Sequence, residues 1–273
     1  MSVITISRQL GSLGTEIAKA VAEKLNYQCA DKELIWKMMQ DYGMQMCDVQ
    51  NIDEKNPPRW DFLSIQRRTF LNCIQQAIYE LARKSRVVIV GRGGQLILKD
   101  LPGTLHVRIC APRNVRVRRL MESEGMNEIY ADQIILQNDH DSSGYIRSFF
   151  NADWDDSCLY HLLINTGAFA VETAVELIIK AVHSPEIQAG AEKAPEEIAN
   201  LVLVQRAGVK ILEVLGVEVR NVKIRAERGV VFLSGTVTST LHKENSEKAV
   251  IGLEGAERVE NQLSVVQYSR LLH

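Results

Sequence analysis

Apolar residues in the first two thirds of the chain alternate between two rhythms. Val3-Ile4-Thr5-Ile6 is a short β-branched run. After a glycine-containing turn, Ile17, Val21 and Leu25 recur one helical turn apart, with Ala18 and Ala22 beside them. A long helical pattern spans about 60–84, with Ile74, Ile78 and Leu81 on one face. Val87 to Val90 is wholly apolar and stops at Gly91; Leu105 to Cys110 stops at Pro112; Leu162 to Ile164 ends at Asn165-Thr166-Gly167, before a helix over 170–183. With a weak strand near 28–30 there are about five strands. Short apolar strands separated by helices predict an α/β domain, a parallel sheet covered by helices on both faces.

The pattern breaks over 184–200, where two of the six prolines stand among Gly, Ala and Glu. This composition predicts a linker over 185–196, a first domain over 1–184 and a second over 197–273. The second begins with a helix over 197–215. Val222, Ile224 and Ala226 then alternate with Lys223, Arg225 and Glu227, and Arg228-Gly229 is a hairpin signal. Val231, Leu233 and Val237 continue with period two, followed by a helix over 240–253 and a strand through Val259, Leu263 and Val265. The order αββαβ describes a small α+β module.

Length agrees with this division, since 273 residues exceed what one domain usually occupies. A chain 46% hydrophobic and 24% charged is neither collagen-like nor largely disordered. With 32 basic and 34 acidic side chains, no global field draws it to nucleic acid or to an anionic membrane. Five cysteines, Cys29, Cys47, Cys73, Cys110 and Cys158, show no C-x-x-C spacing and read as reduced thiols. The amino terminus lacks the basic start and apolar run of a secretory signal, and no run is long enough to span a bilayer. A cytoplasmic location is expected.

The stretch from Ile4 to Ala18, ITISRQLGSLGTEIA, carries the most chemistry. A strand feeds a loop with two glycines that runs directly into a helix, which gathers backbone N–H groups and the positive end of a helix dipole around one point. The plain alternative is a strand-to-helix turn with Thr15 as N-cap. A Walker loop, G-x-x-x-x-G-K-[ST], laid on Arg8 through Thr15 puts the hydroxyl on Thr15 and Gly11-Ser12 in mid-loop. Arg8 then replaces the first glycine, Leu13 the second, and Gly14 the lysine. Arg8 would supply the missing positive charge, with Lys19 a weaker substitute.

This loop, continued by Ala30-Asp31-Lys32-Glu33-Leu34-Ile35, resembles the cytidylate kinase-like family, whose members carry S-R-x-x-G-S-x-G and D-K-E-L. Val90-Gly91-Arg92-Gly93-Gly94, His106-Val107-Arg108, Arg116 to Leu120 and Tyr160 to Thr166 extend the resemblance over nearly all of 1–183. It implies a P-loop nucleoside monophosphate kinase fold, nucleotide phosphates at Arg8, Gly11, Ser12, Gly14 and Thr15, and an arginine-rich lid. Thr15 would be the hydroxyl on the magnesium side of an ATP complex, making ATP substrate and Mg²⁺ cofactor. Family members usually have Gly where this chain has Leu13. Arg92, in a turn at a strand's carboxyl end, would grip an acceptor phosphate, or else is a solvated loop arginine. Arg116, Arg118 and Arg119, with Arg113, form either a lid that stabilises phosphoryl transfer beside Arg8 or a solvated helix face. Asp31, just after the weak strand, would hold a nucleoside hydroxyl or orient the acceptor.

Asp139-His140-Asp141 cannot share one ion on a helix, because adjacent residues point in different directions; it reads as a solvated or salt-bridged face. Asp153-Trp154-Asp155-Asp156 is either a loop closing over the site or a structural turn, and His161 reads as a strand residue without a catalytic role. Residues 197–268, with GVVFLSGTV and GAERVENQLSV, resemble a BON domain. That resemblance implies a binding module. Lys223, Arg225 and Arg228 make only a minor basic patch, so regulation, a small ligand or self-association is expected rather than lipid attachment. Two functions follow: a phosphotransferase from ATP to a nucleoside monophosphate or related small acceptor, or a catalytically weak nucleotide sensor signalling through the BON domain.

Overall fold

The computed structural model describes residues 2–41, 65–216 and 221–266. They divide into two units, Met1–Ala194 and Pro195–His273.

In the first unit, strands β1 (Val3–Arg8), β2 (Gln28–Ala30), β3 (Val87–Val90), β4 (Thr104–Cys110) and β5 (Leu162–Asn165) form one parallel sheet in the order β2-β3-β1-β4-β5. β1 lies at its centre, with Ile4 opposite Val88 on one side and Leu105 on the other. β3 is buried along its whole length, which is why it reads as an unbroken apolar run. Ile4, Ile6, Val88, Val90, Val107 and Ile109 pack against Ile17 and Val21 of α1 (Gly14–Leu25) and Val175 and Ile178 of α7 (Val171–Val182). The opposite face, presented by Thr5 and Ile89, meets Gly94 at the start of α4 (Gly94–Ile97). Between these elements lie α2 (Lys32–Asp41), α3 (Ile65–Lys84), α5 (Arg113–Glu124) and α6 (Glu128–Phe150), and α5 and α6 pack as a hairpin. The helical pattern expected over 60–84 is borne out from Ile65 onward; residues 60–64 lie outside the described ones.

The stretch 185–196 corrects the sequence reading. It is helical, the opening of α8 (Pro185–Leu215), which carries Pro195 within it. Its small residues serve close packing: a Cβ on Gly190 would stand 2.4 Å from the Gly103 backbone nitrogen, and Ala191 and Ala194 are buried. A Gly/Ala-rich composition suits a flexible connector and a tight helix contact alike, and periodicity alone does not separate them.

In the second unit, β6 (Val222–Glu227) and β7 (Val230–Val237) form an antiparallel hairpin, and β8 (Arg258–Val265) joins β7 in parallel. Arg228 and Gly229 both have positive φ, 47° and 78°, as the two-residue turn of a right-twisted hairpin requires. Leu203, Ala207 and Ile211 of α8 and Val250 of α9 (Thr240–Val250) cover Val231, Leu233 and Leu263. The αββαβ order is as expected, with α9 ending at Val250 rather than 253. Among the described residues no helix is long and apolar enough to cross a membrane, and Cys29, Cys73, Cys110 and Cys158 are free thiols. Cys47 lies outside the described residues.

Candidate active site

The β1–α1 loop leaves the carboxyl edge of the sheet, where ligands bind in open α/β folds. The Gln9 N–H donates to Ile109 O at 3.1 Å, and Ser12 turns back on Gln9 O with both its N–H (3.2 Å) and its hydroxyl (2.7 Å). Gly11 has φ +75°, and a Cβ there would press within 3.0 Å of Arg116 O. The N-cap of α1 is Leu13, at φ 61° and ψ 19°, rather than Thr15, which lies inside the helix. The apolar Leu13 side chain makes no capping hydrogen bond to this helix start. Its first-turn N–H groups, which have no intrahelical acceptor, are thus available to an anion.

Gly14 explains the absent lysine. A Cβ at this position would stand 2.4 Å from the Arg8 Cβ and 3.0 Å from its Cγ. The stem of Arg8, rising from the end of β1, thus occupies the room that a lysine stem at position 14 would need.

Arg8, Gly11, Leu13, Gly14, Thr15 and Arg119 line a cleft of about 670 Å³, within the roughly 300–1,000 Å³ of ligand sites. Arg119 is anchored at its rim: its guanidinium donates to Gly11 O (3.2 Å), Thr166 Oγ1 (3.0 Å) and Thr166 O (2.7 Å), and the Thr166 hydroxyl contacts Ser12 O at 2.8 Å. The far wall belongs to α6, through Gln137, Asn138, Asp141 and Ser142. A divalent cation fits this set chemically, because a hydroxyl residue at the helix start faces a wall holding a buried carboxylate.

The remaining arginines separate. Arg116 is buried and tied to Ala111 O (3.1 Å), Leu10 O (3.3 Å) and both Asp139 carboxylate oxygens (3.1 and 2.7 Å). It braces the loop against α6, and Asp139 is accordingly salt-bridged. Arg118 is exposed on α5, and Arg113 pairs with Asp132. Asp31 accepts the Leu34 N–H at 3.0 Å as a cap for α2, and lines neither cleft described here.

Arg92, buried, sits between Gly91 and Gly93 in three successive left-handed residues, at φ 72°, 55° and 71°. A Cβ on Gly93 would meet the Phe150 ring at 2.5 Å. Together with Ser7, Arg8, Gln95, Ser142 and Trp154, Arg92 lines a second cleft of only about 20 Å³. Arg8 and Ser142 line both clefts.

The Asp153–Asp156 segment is a fixed turn whose tryptophan walls the small cleft. The Trp154 indole N–H donates to Ser7 Oγ at 2.9 Å, and the buried Arg108 guanidinium lies 4.1 Å from its ring centroid while donating to Trp154 O and pairing with Asp155. His161 is an exposed residue just before β5; its Nδ1 accepts the His106 N–H at 3.2 Å. His106, buried on β4 against Thr5 Oγ1 (2.8 Å), has its pKa pushed down to about 3, chiefly by burial and then by His161. Sequence reasoning passed over Ser7, Thr166 and Ser142, whose small hydroxyls give no signal before the strands are placed. It named Asp141 only within a triplet.

Residues 3–168 match the model of the cytidylate kinase-like family, and residues 205–267 match that of the BON domain. A protein named cytidylate kinase from Archaeoglobus fulgidus is 31% identical over 188 residues, covering 68% of this chain and 97% of the relative. Another so named, from Methanococcus aeolicus, is 26% identical, with 66% and 97% covered. An uncharacterized protein from Eubacterium ventriosum, solved by crystallography, superposes with a TM-score of 0.54 at 26% identity, over 67% of this chain and 99% of that one. With a family match over more than half of its length and an uncapped, glycine-bearing loop at the centre of a parallel sheet, the chain belongs to the cytidylate kinase-like family.

Proposed function

We propose that the chain is a nucleotide-dependent phosphotransferase that binds ATP with Mg²⁺ in the larger cleft and passes a phosphoryl group to a nucleoside monophosphate or related small acceptor. The placement of Arg8 over Gly14 carries this reading. It keeps a cation beside the phosphates while leaving the glycine backbone open to them. The N–H groups of Gly11, Leu13, Gly14 and Thr15 cradle the phosphates, while the buried Ser12, whose N–H and hydroxyl are both spent on Gln9 O, shapes the loop from behind. The Thr15 hydroxyl serves the cation, and Arg119 stabilises charge developing on the transferred group. Arg116 acts by holding the loop rather than by touching phosphate. Arg92, on the acceptor side, is joined to the donor cleft through Arg8. The naming of relatives as cytidylate kinases supports a pyrimidine nucleotide as acceptor.

A second reading, a catalytically weak nucleotide sensor, is favoured by the size of the acceptor-side cleft. Its volume of about 20 Å³ has room for little more than a single water, so a nucleoside enters only if α6 or the Trp154 turn moves. The BON unit supplies regulation or assembly in either reading, through a small ligand or self-association. The near-balanced charge supports neither a nucleic-acid nor a membrane partner, and the free thiols support a cytoplasmic setting.

Incubation with ATP, Mg²⁺ and each nucleoside monophosphate should yield a diphosphate product. Nucleotide binding without turnover would leave the sensor, and no binding would sink both. Arg8→Ala should weaken ATP binding roughly 10- to 100-fold, the worth of a charge-assisted contact.

A further inference from the structure

The cleft walls hold two arginines, Arg8 and Arg119, against three carboxylates, Glu16, Glu124 and Asp141. Glu16 and Glu124 are exposed and solvated, whereas Asp141 is only 5% exposed. Its neighbour Asp139 is neutralised by Arg116, but Asp141 has no cationic side chain within ion-pair distance among the described residues. Its hydrogen bond there comes from a neutral group, the Gln137 amide, to Oδ1 at 2.7 Å. A carboxylate taken out of water needs a compensating charge or several donors. A polyphosphate brought into a cleft with this balance meets repulsion unless a cation comes with it.

We propose that Asp141 is a cation-ligating residue: its Oδ2 takes an inner- or outer-sphere place on the divalent cation carried by the nucleotide's phosphates, across the cleft from Thr15. This rests on the proposed nucleotide site. It assigns to α6 the second wall of the cation site, a role that the phosphate loop alone cannot fill, and it makes nucleotide binding tighter with the metal than without it. Ser142, the next residue, lines both clefts, so the wall that carries the cation ligand is shared with the acceptor side.

Mn²⁺ is the probe, with free Mn²⁺ followed by electron paramagnetic resonance in the full-length protein with and without ATP. ATP affinity in EDTA is measured alongside by calorimetry. In Asp141→Asn, the Mn²⁺ Kd in the presence of ATP should rise at least about tenfold, while ATP affinity in EDTA stays equal or tightens as a negative charge is lost. Gln137→Leu, which removes the Gln137 amide but keeps the carboxylate, should retain Mn²⁺ binding; this separates charge from packing. Unchanged Mn²⁺ affinity in Asp141→Asn overturns the assignment, as does an equal loss in Gln137→Leu. If the wild type binds ATP in EDTA, either result counts against Asp141 alone. If it binds no ATP with or without metal, the nucleotide site and this inference fall together.

Discussion

Gly14 and Arg8 are best treated as one feature. Adding a methyl at position 14 forces the Arg8 stem aside. Gly14→Ala should therefore cost about 1–3 kcal/mol, the usual range for overpacking. Much of that cost should return in Arg8→Gly/Gly14→Ala, as a coupling measured by a double-mutant cycle in urea. Leu13 holds a left-handed φ of 61° that a Cβ disfavours by about 1–2 kcal/mol. Leu13→Gly should stabilise the unit by up to about 1 kcal/mol after the entropy of the new glycine is counted, seen as a higher urea midpoint. His106 is neutral in the fold, with its pKa near 3 instead of 6.5, while the unfolded chain takes up its proton below about pH 6.5. The unfolded state then binds more protons, so stability should fall as pH drops from about 6.5 toward 3. His161, also shifted down by burial, adds in the same direction. A His106→Asn variant should lose the His106 share of that slope relative to wild type.

At the scale of elements, what holds the β1–α1 loop is a brace from α5 to α6. Arg116→Ala would leave Asp139 half-buried without its cation and two loop carbonyls without donors. A loss of about 3 kcal/mol is expected from denaturant unfolding, together with weaker nucleotide binding, because the loop loses its support. The loop itself was legible in sequence because a strand, two glycines and an amphipathic helix are all local signals. The brace was not. Arg116 and Asp139 are far apart in the chain, and an arginine on a helix looks the same whether it faces a phosphate or a buried carboxylate. The helical opening of α8 is hidden in the sequence for a related reason. Its Gly190 faces another backbone at 2.4 Å from a would-be Cβ, and nothing local distinguishes that contact from a turn.

For the whole molecule, the near-zero net charge hides a clustered arrangement: buried arginines at one sheet edge, of which Arg108 is answered by a carboxylate, a carbonyl and an aromatic ring, and Arg116 by a carboxylate and two carbonyls. The first unit closes only with the start of α8, since Ala191 and Ala194 are buried in it. A chain ended after residue 194 should keep nucleotide affinity within about twofold of full length. One ended after residue 184 should melt several degrees lower, as measured by differential scanning calorimetry.

Periodicity and punctuation in the sequence were sufficient for the alternating strands and helices, the αββαβ order of the second unit, and the phosphate-type loop with its missing lysine. These are properties of neighbours along the chain, where side-chain spacing and glycine or proline act within a few residues. Only the tertiary structure decided which arginine stands over Gly14, which is spent on Asp139, that Asp31 caps a helix, and that Asp141 lines the larger cleft without a cationic partner among the described residues. Those assignments depend on distances and desolvation between segments far apart in sequence, and a charge acquires its role from what it faces once water is removed.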